Sequence, residues 1–210
     1  EFYIPEHVLE AVLAIKTEDV PALGYVQYSI DINDNSCISM KKNNALENEF
    51  YSITIAENGS LTILDKENNK TYNNQGILVE NGDDGDSFNY SPPRKDMEIL
   101  STDSKFEYQI HGNDIYSKAQ IHYTMIVPKD LEERAEHLTS TTLPITLEVG
   151  LRKGSKIIDF NVHVNNKGLF HRLCVIFDSQ ITSKFNYADQ QFGLIKRPNY
   201  YEKEMNLYLE

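Results

Sequence analysis

Short apolar runs separated by polar turns recur along most of this chain, and where the pattern is clearest the period is two. Phe50 to Ile55 and Ser60 to Leu64 are two such runs, joined by Ala56-Glu57-Asn58-Gly59, whose Asn-Gly pair is a strong hairpin signal. Strand-sized runs continue over Phe106 to Ile110, Ile115 to Val127, Ile145 to Leu151, Lys156 to Val164 and Leu169 to Phe177. Turn signals fall between them at His111 to Asp114, Gly150 to Gly154 and Asn165 to Gly168. Upstream, Val8 to Ile32 predicts two strands, with Tyr25 to Asp31 alternating most clearly. Asp31 to Asn44 is polar around a short Cys-Ile-Ser-Met segment, so a domain boundary belongs near Asn43. Asp65 to Asn74 predicts a polar turn, and Asp130 to Leu138 reads either as a short helix or as a loop between strands. Regularly spaced short strands with intervening turns predict an all-β, antiparallel β-sandwich. From Phe185 the chain runs into an acidic, aromatic segment with no obvious terminal strand or cap, which predicts a truncated sandwich with an unpaired sheet edge.

Composition narrows the function classes. A formal net charge of −12 without any Lys/Arg cluster argues against nucleic acid and against anionic membranes, both of which need clustered positive charge. No run reaches the length of a membrane-spanning helix, and acidic residues stand at the N-terminus where a secretory signal would be basic, so a soluble, cytoplasmic protein is expected. The 13 Tyr and 9 Phe supply large packing units in the absence of Trp. Cys37 and Cys174 have no metal-type spacing and read as ordinary reduced thiols. Metalloprotease, nucleophile-elbow, phosphate-loop and dinucleotide signatures are all missing.

The most specific stretch is Asn81 to Pro93, Asn-Gly-Asp-Asp-Gly-Asp-Ser-Phe-Asn-Tyr-Ser-Pro-Pro. Gly82 and Gly85 are expected to supply positive backbone angles, the aspartates to bond neighbouring amides, and Pro92-Pro93 to end any strand. The loop sets Phe88 and Tyr90 among Asp83, Asp84 and Asp86. A calcium loop of the EF-hand kind would need Glu at its twelfth position, which here is Arg94 or Lys95, so capping is favoured over metal binding. His163 and His171 fall in strand patterns and read as core or rim histidines.

Taken with Leu46 to Glu67, the loop resembles the start of the C-terminal β-domain of glycoside hydrolase family 38, the zinc-dependent α-mannosidases, and is closest in flavour to the bacterial branch that includes mannosylglycerate hydrolases. Pro21-Ala-Leu-Gly-Tyr and Asn166-Lys-Gly-Leu-Phe-His-Arg-Leu resemble further segments of that family. The resemblance implies a galactose-mutarotase-like supersandwich over 43–210, preceded by a small β-region over 1–42 that links to a catalytic domain. It implies a retaining α-mannosidase as the parent, with a mannoside substrate, an N-terminal catalytic domain as partner and an oligomer left open. The zinc of that parent needs a His-x-Asp pair, which follows none of the six histidines, so this chain by itself is expected to bind no zinc and to be inactive. The substrate-proximal candidates are Asp86, Phe88, Tyr90 and Arg197. Phe88 falls where relatives carry a tyrosine reaching the sugar, and Arg197 corresponds to an arginine near the cleft. Its plainer reading is a surface ion pair with Glu202 or Glu204. The alternative reading is a stand-alone carbohydrate-binding or mutarotase-like sandwich, for which His111, His122 and Glu148 are the nominal acid and base groups.

Overall fold

The computed structural model describes residues 15, 17, 19–29, 41–86 and 88–199. In chain order the strands are β1 (Lys41–Lys42), β2 (Leu46–Glu47), β3 (Tyr51–Ile55), β4 (Leu61–Asp65), β5 (Lys70–Gln75), β6 (Ile77–Gly82) and β7 (Ile99–Leu100). After a single 3₁₀ turn at Ser101–Asp103 come β8 (Lys105–Gly112), β9 (Tyr116–Val127), helix α1 (Leu131–Ala135), β10 (Thr141–Arg152), β11 (Ile158–Val164), β12 (His171–Ile176), β13 (Phe185–Gln190) and β14 (Gly193–Pro198). All strand pairs are antiparallel, arranged as a five-stranded sheet β1-β8-β9-β10-β11, a four-stranded sheet β2-β3-β4-β5, a three-stranded sheet β12-β6-β7 and a separate ribbon β13-β14.

The hydrophobic pattern explains how the sheets stack. On β9 the odd positions Ala119, Ile121, Tyr123, Met125 and Val127 are buried, and on β10 the same holds for Leu143, Ile145, Leu147, Val149 and Leu151. Side chains directly opposite one another share a face, so the β9–β10 register merges these into one apolar surface. Leu46, Ile53 and Ile63 lie opposite one another across β2, β3 and β4 and pack into the same core. At about 25 cal/mol per Å², each such side chain contributes roughly 1.5–3 kcal/mol. Tyr123 ties the layers together through its hydroxyl, which donates to the Gly59 carbonyl at 2.7 Å in the β3–β4 turn. Burial pushes that phenol well above its ordinary range. Gly59 holds φ +82°, and a Cβ there would meet the Tyr123 ring at 3.0 Å, so both backbone angle and packing demand glycine.

The all-β sandwich is therefore observed, and the expected strands and most turns stand within a few residues of their sequence positions. Three expectations need correction. Asp65 to Asn74 is not all turn, since Lys70–Gln75 forms β5; its Asn73-Asn74 pair reads as loop, but a register shift against Leu61–Ile63 absorbs it. Phe185 to Pro198 forms the β13–β14 hairpin where no strand was expected. Of the two strands expected in Val8 to Ile32, Tyr25–Ser29 is exposed and unpaired; Pro21 to Gly24 is a turn, with Gly24 N–H donating to Pro21 O at 3.1 Å. Much of the rest of that segment, and Cys37, lie outside the described residues. The Asp130 region does hold a helix, one turn long, whose N-cap Asp130 accepts from the amides of Glu132 and Glu133 and contributes about 1 kcal/mol. Among the described residues no helix is long and apolar enough to cross a membrane.

Candidate functional site

The loop that follows β6 is built on a buried charged cluster. Glu80, fully buried on β6, pairs with Arg134 of α1, and Glu80 Oε1 also lies 3.1 Å from His171 Nδ1. Arg134 donates in addition to Met97 O at 2.7 Å and to Asp96 Oδ1 at 3.2 Å. Asp96 Oδ1 accepts from the backbone of Gly82 at 3.0 Å as well, so the first residue after Asn81 and the helix share one carboxylate. Burying Glu80 and Arg134, with His171 nearly covered beside them, is costly unless the groups satisfy one another, and with the partly exposed Asp96 this cluster does so except at Glu80 Oε2 and Arg134 Nε.

Above this base the loop closes on itself. Asp83 N–H donates to Phe170 O at 2.9 Å and Asp84 N–H to Ser91 O at 2.8 Å. Asp83 Oδ1 accepts from the amides of Gly85 (2.9 Å) and Ser91 (3.1 Å). Asp86 Oδ1 accepts from Phe88 N–H at 2.8 Å and Asn89 N–H at 2.9 Å, and these bonds, that of Phe88 first, hold its carboxyl below the ordinary aspartate range. Asp83 and Asp86 thus cap amides, as the turn reading expects. The glycines do something other than expected, because neither Gly82 nor Gly85 takes a positive φ. A Cβ on Gly82 would lie 2.5 Å from Pro93 Cγ and 2.6 Å from Arg134 Cδ, and one on Gly85 would collide with the Asn89 carbonyl. Close approach is what these positions require.

At the tip Phe88 is 92% exposed, with no ring partner among the described residues. Tyr90 is engaged at the flank, where the Arg172 guanidinium sits 3.6 Å from its ring centroid while Arg172 Nε donates to Asn81 Oδ1 at 2.8 Å. Neither aromatic lies in a strand. Arg197 stands on β14 opposite Asn186, exposed, and no hydrogen bond or ion pair links it to Asp86 or Phe88. Its expected partners Glu202 and Glu204 lie outside the described residues. Sequence reasoning did not nominate Glu80, Asp96, Arg134, His171 or Arg172 as the braces of this loop. The available signal was a glutamate inside the apolar run Ile77-Leu78-Val79-Glu80, a charge that has to be met by a buried partner.

The residues of the alternative reading do not converge. His111, His122 and Glu148 share the outer face of the five-stranded sheet, but His111 on β8 and Glu148 on β10 are two strand spacings, about 9–10 Å, apart across the sheet and a further two residues apart along it. His122 Nδ1 is 2.9 Å from Thr146 Oγ1. Glu148 accepts from Lys118 and Gln120, both at 2.7 Å, and the Lys118 bond chiefly holds its carboxyl below the usual range, the wrong direction for a general base. Nor do the residues present fit a zinc ion: among those described, no group of three or more His, Cys, Asp or Glu is arranged to hold a metal.

Residues 46–209 match the family described as glycosyl hydrolases family 38 C-terminal domain. The chain is similar to a Halalkalibacterium halodurans protein assigned as a mannosylglycerate hydrolase, 27% identical over 173 residues that make 74% of this chain and 19% of that one. It is also similar to a solved α-mannosidase from Enterococcus faecalis V583, with TM-score 0.67, 26% identity and coverage of 76% of this chain and 20% of that chain. A second Enterococcus faecalis structure, of a protein in glycosyl hydrolase family 38, gives TM-score 0.66, 28% identity and coverage of 74% and 21%. The chain spans about a fifth of the length of each. With the match running through β2 to β14 and taking in the braced loop, this chain belongs to the C-terminal domain family of glycosyl hydrolases family 38.

Proposed function

We propose that this chain is the opening part of the C-terminal sandwich of a retaining α-mannosidase and that the Asn81–Pro93 loop supplies one wall of its substrate cleft. In this reading residues 1–42 lead from an N-terminal catalytic domain, and 43–210 begin the large sandwich. The observation that carries the reading is Phe88, a large apolar ring held almost wholly in solvent at the tip of a loop fixed by nine side-chain and backbone bonds or contacts described above. Leaving such a ring exposed forgoes roughly 1.5–3 kcal/mol of burial, which a covering surface would recover. A flat aromatic face packs against the apolar face of a pyranose, and Asp86 sets the ring's direction by capping the Phe88 amide. Tyr90 and Arg172 hold the loop's flank, and Arg197 belongs to the same cleft only if the β13–β14 ribbon is brought to it in the parent.

Bond cleavage belongs to the catalytic domain. There an aspartate attacks the anomeric carbon, a second carboxyl protonates the leaving oxygen and later activates water, and zinc supplies its Lewis-acid chemistry with ligands from outside this chain. What residues 81–93 do is orient the sugar and exclude water from one side. The test is hydrolysis of an aryl α-mannoside and of mannosylglycerate, with zinc added, by the 210-residue chain and by the longer polypeptide that contains it. Turnover by the longer polypeptide alone supports the reading. Turnover by the 210-residue chain would overturn it.

A further inference from the structure

The binary pattern of β11 is that of a buried strand, yet the fold leaves it half uncovered. Its register with β10 sets Ile158, Phe160, Val162 and Val164 opposite Leu151, Val149, Leu147 and Ile145, so all eight face the core side of the sheet. The four β10 residues are fully buried, whereas Val162 is 36% and Val164 39% exposed. Among the described residues β11 ends the five-stranded sheet and β12 ends the three-stranded sheet, so each has an edge with no described strand beside it. These edges meet at one flank, where the Phe177 ring following β12 packs edge-on against Phe160 at 4.8 Å between centroids. Phe177 itself is 48% exposed.

We propose that this flank, the core-side face of β11 with those edges of β11 and β12, is the docking surface for strand-forming chain of the same polypeptide lying outside these 210 residues. Unpaired backbone groups along an edge recruit another strand, and the adjoining apolar row gives that strand something to bury. Two observations favour an occupant in the same chain. The relatives are about five times as long as the part matched here, so ample chain exists in them beyond this segment. A second copy would bring another net charge of −12 against the first, a repulsion that a covalently attached segment overcomes through its high effective concentration.

The inference rests on the reading that the chain is part of a longer polypeptide. Its test is amide hydrogen exchange on that polypeptide, followed at β11 and compared with β9 and β10. The β11 amides that do not bond to β10 are expected to exchange within about tenfold of the central β9–β10 amides. Exchange about 100-fold or more faster than β9–β10 would overturn the proposal. Light scattering on the 210-residue chain gives the other arm: a dimer with protected β11 amides would assign the flank to a second copy and also overturn it. A polypeptide that protects β11 but hydrolyses no mannoside would sink the functional reading and leave this docking surface standing.

Discussion

Replacing Arg134 by alanine removes the one full cation from a buried site and leaves Glu80 with only His171 Nδ1, 3.1 Å away, as charge partner. Arg134 is 1% exposed and Glu80 fully buried, so water cannot take the place of the lost guanidinium without opening the fold. Breaking a buried pair from one side costs about 3–5 kcal/mol. Two atoms of this pair already lack partners, Glu80 Oε2 and Arg134 Nε, which places the expected loss near the lower end, about 3 kcal/mol. For a chain of this size that lowers the melting midpoint by roughly 6–12 °C. The assay is thermal unfolding of the wild-type and Arg134→Ala chains by circular dichroism at pH 7, with urea titration as a second measure. A paired substitution, Glu80→Leu with Arg134→Met, should recover most of the loss, because well-packed apolar residues replace a buried ion pair at little or no cost. A single variant that costs less than about 1 kcal/mol, or a paired variant as unstable as the single one, would refute the reasoning.

Three further outcomes follow from the same geometry. Gly82→Ala forces a Cβ to within 2.5 Å of Pro93 Cγ and 2.6 Å of Arg134 Cδ and should cost about 1–3 kcal/mol, read from the same urea titration. Tyr123→Phe leaves the Gly59 carbonyl without its donor and should cost about 1–2 kcal/mol with the fold intact by near-ultraviolet dichroism. Asp86 has a folded-state pKa below its ordinary 3.8, so the order it gives the loop is fully present above that value and is lost as pH falls through the folded one. Nuclear magnetic resonance titration should show the Phe88 and Asn89 amides shifting together in that acidic window, and an Asp86 midpoint at or above 3.8 would contradict the capping geometry.

Local patterning told the fold class and fell short on the site. β9 and β10 carry twelve residues each in near-perfect alternation, and the Asn58-Gly59 hairpin is a local signal that needs no tertiary help. β5 was hidden because Tyr72 is its one large apolar residue, and β13–β14 because its Leu194, Ile195 and Tyr187 are not sorted onto a buried face. The loop at Asn81–Pro93 stood out by composition, and Phe88 was nominated at a position the structure leaves 92% exposed. The braces were not legible, since Glu80, Asp96, Arg134 and His171 are dispersed over 91 positions and meet only through the folding of β6, α1 and β12. Gly82 and Gly85 look like turn glycines in sequence, and only the crowded neighbours reveal that space is their reason.

The account turns on Phe88 meeting substrate. Steady-state hydrolysis of an aryl α-mannoside by the longer polypeptide carrying Phe88→Ala tests this most directly, alongside melting curves that check the variant's stability. The account predicts a fall in kcat/KM of about tenfold, equivalent to about 1.4 kcal/mol, with an unchanged melting midpoint, and retention of activity in Phe88→Tyr. An alanine variant with wild-type kcat/KM on both the aryl mannoside and mannosylglycerate would contradict it.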